Sequence, residues 1–364
     1  MTTMTSTAPG KLILTGEYAV LDGAPALVIA VDRRVTAQRR YGGPSGSSPF
    51  LIAVMQELGK RYPRTGISQI VAELAVDSSA FYDGEHKLGL GSSAAVTVAA
   101  VGLAVAELHN EPARQHRGEI LEVALAAHAA AQGERGARGS GADIAAAVYG
   151  GAIEYVRGEA TLATPPTSPA AASIAALGGD PTAPPPPARD ATSTGTDSAD
   201  GRALPSIQPL HWPASVTLLP FFTGHSADTA TLVSRVAAAR VARREAVDAA
   251  IAAIAAASQA VCDALRAGVG SEHVIAACKL AVLGVSRLAI ASGVDLVPDC
   301  VSRAAAAVAP PGGTAKTTGA GGGDIGIAVI PATADVSACT RSLIECGCQP
   351  LRLSVDETGV DTRP

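Results

Sequence analysis

Between Lys316 and Val329 the chain reads KTTGAGGGDIGIAV, which places five glycines within eight residues and then enters an apolar, β-like run. So much backbone freedom ahead of a strand restricts the stretch to a spacer, a tight turn or the wall of an anion site. Its place between a helix-rich segment and IGIAVI favours a turn inside a fold. Two further glycine turns, LGLGSSAAV at 88–96 and GSGADIAAA at 139–147, feed Ala-rich helical patterns over Ser92–Glu107 and Ala142–Tyr149. A helix that starts on such a turn aims free N–H groups and the positive end of its dipole at one point.

At 364 residues the chain exceeds the size at which one core keeps growing, so two subdomains are expected. A hydrophobic content of 48% with only 3% aromatics predicts Ala-rich helices packed on Val/Ile/Leu strands, an α+β composition. The net charge of −5, with no Lys/Arg block, offers no footprint for nucleic acid or a membrane surface, and a small-molecule partner is the expectation. Arg, Glu and Asp recur through the longest Ala/Val-rich segments, so no membrane span is expected. The opening MTTMTSTAPG has no secretory pattern. The six cysteines, all in the last third, suggest reduced thiols and a cytoplasmic setting. Cys346-Gly-Cys348 has no second ligand pair at zinc spacing.

Lys11–Val20 and Ala26–Val31 read as strands of an opening hairpin around Asp22-Gly23, and Ile120–Gln132 as a helix. The stretch 159–210, rich in Pro, Ala, Ser, Thr and Gly, is expected to be a flexible insertion between an N-terminal subdomain (1–158) and a C-terminal one (211–364). Ser215–Phe222 is a predicted strand, Arg235–Arg266 one or two helices, Ile325–Ile330 a strand, and Leu351–Glu357 a closing strand.

The run Gly89-Leu90-Gly91-Ser92-Ser93-Ala94 has two glycines for close backbone approach and two hydroxyls at a helix start, where a serine also reaches a phosphate-bound Mg²⁺. A bare GxG is more often only a capped helix. A dinucleotide fingerprint would need a strand and an acidic residue about 20 residues on, where the chain has His109-Asn110-Glu111-Pro112 instead. The form GxxxxGK[ST] is absent. Asp143, just inside the helix after Ser140-Gly141, is either a first-turn charge or a residue that orients an acceptor near a γ-phosphate. Lys11 heads the first strand, either facing water or neutralising a transferring phosphoryl group.

Three motifs in this order, APGKLILTGEYAVLDG at 8–23, KLGLGSSAAV at 87–96 and KTTGAGGGDIGIAV at 316–329, resemble those of the GHMP kinases. Within that superfamily the chain looks most like the phosphomevalonate kinases, through Lys87 ahead of the glycine turn, the GSGADIAAA segment, TGHSADT at 223–229 and Asp324. The resemblance implies an N-terminal subdomain like ribosomal protein S5 domain 2 and a C-terminal ferredoxin-like one. It also implies ATP-dependent phosphorylation of 5-phosphomevalonate to 5-diphosphomevalonate by a monomer or homodimer. Mevalonate kinase or another GHMP small-molecule kinase, the sibling diphosphomevalonate decarboxylase, and a catalytically silent sensor of the same fold are the alternatives. ATP is expected on Gly89–Ala94, with Mg²⁺ at Ser92 and Ser93, and Asp143 and Lys11 are the implied catalytic pair. Lys87, Ser140, Gly141, Gly319, Ala320, Gly321 and Gly322 are expected near the acceptor's anionic groups. His128 stands where related mevalonate kinases place a metal-binding Glu, and Arg135 and Arg138 add charge before Ser140.

Overall fold

The computed structural model describes residues 4–40, 48–134, 139–158 and 203–363. Arg135, Arg138 and nearly all of the expected insertion lie outside the described residues. The chain forms two compact units, one of Met1–Leu12, Val28–Ala152 and Leu353–Pro364, the other of Ile13–Leu27 and Ile153–Arg352. This division differs from the expected contiguous subdomains, because the C-terminal tail joins the first unit and residues 13–27 join the second. Ser206–Leu210, counted above with the insertion, is a strand.

In the first unit, β1 (Thr5–Thr15) lies beside β2 (Ala26–Arg39), and both strands run on into the second. Tyr18 (φ 58°) and Gly23 (φ 85°) frame a 3-10 turn over Ala19–Asp22, so β1 ends at Thr15 rather than running to Val20 as expected. The far end of β2 pairs antiparallel with β3 (Leu74–Asp77), Arg39 opposite Leu74. The ribbon β4 (Tyr82–Asp83) and β5 (His86–Lys87) leads into the glycine turn.

Helices α1 (Pro49–Arg61), α2 (Ile67–Ala72), α4 (Arg117–Gly133) and α5 (Ala142–Tyr149) pack around α3 (Ser92–His109). Nearly every residue of α3 from Ala94 to Ala106 is buried, as a helix apolar on all sides requires. Gly102 brings α3 close to β1 and the C-terminal tail: a Cβ there would meet Val360 Cγ2 at 2.7 Å and Ser6 Oγ at 3.0 Å.

The second unit contains β6 (Ala152–Val156), of which Ala152 belongs to the first, and β7 (Ser206–Leu210) beside it. Its four-stranded antiparallel sheet, of the kind the ferredoxin-like expectation calls for, has the order β11 (Gln349–Pro350), β8 (Val216–Phe222), β10 (Ile325–Pro331), β9 (Thr314–Thr317). The helices are α6 (Thr229–Ala242), α7 (Arg244–Ala267), α8 (Ser271–Ser292), α9 (Asp299–Val308) and α10 (Val336–Glu345). Long α7 and α8 pack along each other, and Gly284 admits Ile254 closely. One core joins α6, α7 and α8 to Tyr18 and Ala19, and another joins α9 and α10 to the sheet.

The expected closing strand at 351–357 is reduced to one bridge, Val31 to Val355. Asp356 turns the chain there: its carboxylate accepts from the N–H groups of Thr358 (2.9 Å) and Gly359 (3.1 Å) and pairs with Arg34. The tail then returns as β12 (Asp361–Arg363), antiparallel to β1.

By length and mean hydropathy alone, α3, α7 and α8 would suffice to cross a membrane, which corrects the expectation that no stretch is apolar enough. Their apolar windows are 72%, 50% and 44% buried inside the protein, which gives much of that surface a partner.

Candidate active site

In the first unit, the backbone fits the turn 88–91 against the middle of β1, where Lys11 lies rather than at the strand's head. The Lys11 N–H donates to Leu90 O at 2.9 Å, and Gly10 packs against Leu90 and the Phe81 ring. Gly89 (φ 68°) and Gly91 (φ 79°) both take left-handed conformations that favour glycine. Gly91 is the N-cap residue of α3 and supplies no side chain to the first-turn amides. A Cβ on it would stand 3.1 Å from Lys11 Cε and 3.7 Å from Asp143 Cβ, so Lys11 and Asp143 flank the same point. The Lys11 ammonium reaches Gly89 O at 3.4 Å.

Asp143 is carried to that point by α5, whose N-cap, Gly141 (φ 86°), is again a glycine without a side-chain cap. Its Oδ1 accepts from the Ile144 N–H at 3.0 Å, and Ser140 Oγ accepts from the Ala142 N–H at 3.3 Å. Two helix N-termini, an ammonium and a carboxylate therefore converge around Gly91. The helix ends and Lys11 attract negative charge, while Asp143 is placed to orient or repel it.

The two serines differ. Ser92 is buried, while Ser93 is partly open and its Oγ lies 3.2 Å from His128 Nε2. His128 is itself buried and stacks on Phe50, with centroids 5.1 Å apart. It thus occupies the departure from related sequences noted above as a partner of Ser93. Phe50 and this contact carry no sequence signal, since 78 residues separate Phe50 from His128 along the chain. Lys87 sits exposed on β5.

Gly319–Gly322 belong to the second unit, where packing accounts for several of the glycines. Gly319, Gly321 and Gly322 have φ of 64°, 79° and 73°. Gly321 lies against Leu296 O, a Cβ on Gly322 would meet Leu232 Cδ1 at 2.8 Å, and one on Gly323 would meet His225 O at 2.7 Å. The Gly322 N–H donates to Leu296 O at 2.8 Å, so this amide holds the turn, unlike the expected ligand-facing role. Asp324, at φ 52°, accepts through Oδ1 from the Ala227 N–H at 3.3 Å and so braces the 223–227 turn.

Beside this turn the same unit buries an ion pair that sequence reasoning missed. The Lys316 ammonium contacts a Glu17 carboxylate oxygen and donates to Thr317 O at 2.6 Å, with both side chains almost wholly inaccessible. Burial pushes the Glu17 carboxyl above its ordinary range, against the opposing pull of Lys316. Glu17 Oε2 has no hydrogen-bond partner among the described residues. Tyr18 OH donates to Ala320 O at 2.7 Å, so consecutive residues grip the glycine turn at its entry and its middle. Charge so deep inside was hidden because Glu17 and Lys316 are 299 positions apart.

Comparison with known proteins places this geometry in a class. Residues 49–151 match the family of GHMP kinases N terminal domain, and over 96% of the chain the structure superposes on a kinase of that fold with a TM-score of 0.70. Residues 49–151 thus match the N-terminal domain of the GHMP kinases, and the chain has the fold of those kinases.

It is similar to the phosphomevalonate kinase of Streptomyces sp. strain CL190, at 27% identity over 97% of each chain. It is also similar to the mevalonate kinase of Aeropyrum pernix, at 32% identity over 42% of this chain and 51% of that one. The structure just compared is Streptococcus pneumoniae phosphomevalonate kinase in complex with phosphomevalonate and AMPPNP, 20% identical and matched over 99% of its length. The Lin0012 protein of Listeria innocua superposes over 100% of this chain and 99% of its own with a TM-score of 0.76 at 20% identity.

Proposed function

We propose that the protein transfers the γ-phosphoryl group of ATP to 5-phosphomevalonate, giving 5-diphosphomevalonate and ADP. The observation that carries this reading is the convergence of Lys11, Asp143 and the uncapped start of α3 on Gly91. The Streptomyces relative, matched over nearly its whole length, supports the choice of acceptor.

In this reading the amides of Gly91–Ala94 hold the nucleotide phosphates, and Lys11 offsets charge spread over the transferring group. The acceptor is already a phosphate monoester with a second pKa of about 6, so its attacking oxygen needs little deprotonation near neutral pH. Asp143 therefore orients the acceptor and tunes the local field rather than serving as an obligatory base. Lys87, Ser140 and Gly141 would meet the acceptor's anionic groups. The same role for Gly319–Gly321 rests on the resemblance alone.

Oxygens at the start of α3 and on Asp143 would hold a Mg²⁺, which would supply charge neutralisation for the phosphates. The donor set fits it in part: Ser92, Ser93 and Asp143 supply oxygens, whereas His128 brings a nitrogen that Mg²⁺ disfavours and occupies the Ser93 hydroxyl. Ser92 and Asp143 are then the better protein contacts, with the phosphates supplying the remainder. The six unbridged cysteines support a reducing, cytoplasmic setting.

A coupled assay of ADP formation with mevalonate, 5-phosphomevalonate and 5-diphosphomevalonate tests the assignment. Turnover confined to 5-phosphomevalonate is expected. Turnover with mevalonate alone would transfer the protein to the mevalonate kinases, and nucleotide binding without turnover on any of the three would make it a sensor.

A further inference from the structure

At the far end of α3 from Ser92, a second group of polar side chains comes together. An 18-residue helix spans about 27 Å, so this group is remote from Gly91. His109 is the last residue of α3, His116 is the N-cap residue of α4, and Glu119 lies in the first turn of α4. The loop between them is held down: the Ala113 N–H donates to the buried Thr362 Oγ1 at 2.9 Å.

Each of the three side chains offers a ligand atom within 4.8 Å of the other two. His109 Nε2 lies 2.9 Å from Glu119 Oε2, and His116 Nδ1 lies 3.8 Å from the same oxygen. The imidazoles stack with centroids 4.2 Å apart and planes 10° from parallel. Donor atoms around a tetrahedral ion with bonds of about 2.0–2.1 Å stand about 3.3 Å apart, and binding requires the two stacked rings to splay so that both in-plane lone pairs meet at one ion.

The surroundings also suit a metal. His116 Nε2 lies 2.8 Å from Glu111 Oε2, so that ring edge can donate to a carboxylate while Nδ1 turns towards an ion, the arrangement that orients metal-bound histidines. The second oxygen of Glu119 accepts from Tyr62 OH, which leaves Oε2 directed at the histidines. Two carboxylates would balance a dication. Two nitrogens and one oxygen select a borderline transition ion over Mg²⁺.

We propose that His109, His116 and Glu119 form a Zn²⁺ site, oriented by Glu111 and Tyr62, that clips the C-terminus of α3 to the N-terminus of α4. Water would complete the coordination. The site is independent of the phosphoryl-transfer reading, since its residues take no part in the Gly91 cluster.

The full-length protein, stripped with chelator, would be titrated with Zn²⁺ by calorimetry in excess Mg²⁺, and with Co²⁺ by visible absorption. One Zn²⁺ per chain is expected, with a rise in Tm and the intense visible bands of low-coordinate Co²⁺. His109→Ala with His116→Ala should abolish binding. Glu111→Gln, which keeps all three ligands, should weaken it about 10–100-fold. ADP formation with Mg²⁺ should be unchanged in Glu111→Gln. Absence of saturable Zn²⁺ binding would show the cluster to be ion pairs only and overturn the proposal, as would unchanged affinity in either the double variant or Glu111→Gln.

Discussion

Two single residues, Asp143 and Gly91, decide most of what the first site can do. Asp143 approaches the point marked by Gly91, and its carboxylate accepts from the adjacent Ile144 amide, a local bond whose loss should leave the fold intact. Asp143→Ala is expected to lower kcat by about 10²–10³-fold, the scale of one lost transition-state contact, while ATP still binds in a nucleotide titration. An unchanged kcat would remove Asp143 from the mechanism. Gly91 combines φ 79° with Lys11 at van der Waals range. Gly91→Ala should cost about 1–3 kcal/mol in denaturant unfolding through backbone strain and displace Lys11; a stability equal to the parent would contradict the left-handed turn. Glu17 and Lys316 test the second unit. Lys316→Met strands the Glu17 charge and should destabilise by about 3–5 kcal/mol, whereas pairing it with Glu17→Gln should recover much of the loss. If the double variant is no more stable than the single, the two side chains do not interact as described.

At the scale of elements, the glycine turn after β9 has its own mechanical logic. Tyr18 OH on Ala320 O, Leu296 O on the Gly322 N–H and Asp324 on the Ala227 N–H hold it at three places. Tyr18→Phe removes one of these bonds and should cost about 1 kcal/mol in global unfolding. Faster amide exchange confined to 317–324 is the local signature to measure, and unaltered exchange there would show that the hydroxyl does not secure the turn. Helix α3 depends in the same way on one missing side chain. Gly102→Leu would drive carbon into Val360 and Ser6, where the spacing leaves no room even for a Cβ. The glycine turns were visible in sequence, because glycine clusters mark positive φ and close approach. Which glycines serve packing was not, since Leu296, Leu232 and Val360 are distant along the chain.

For the whole molecule, thiol chemistry offers a check on burial. All six cysteines are free, and only Cys346 is partly accessible. Burial pushes the Cys278 and Cys348 thiols up to about 12. One cysteine per native chain should therefore react rapidly with a thiol reagent, and six after unfolding; several fast native sites would contradict the packing around α7–α9. Sequence alone determined the α+β class and the principal helices, and it singled out Lys11, Gly89–Ser93 and Asp143 as candidates, because these follow from local periodicity, glycine placement and motif order. Only the tertiary structure decided that residues 13–27 and 353–364 change units, that His128 rather than a carboxylate meets Ser93, and that Glu17 and Lys316 are sealed together. Each of these depends on contacts between segments far apart in the chain, whose free energy comes from shared burial and leaves no periodic trace in the order of residues.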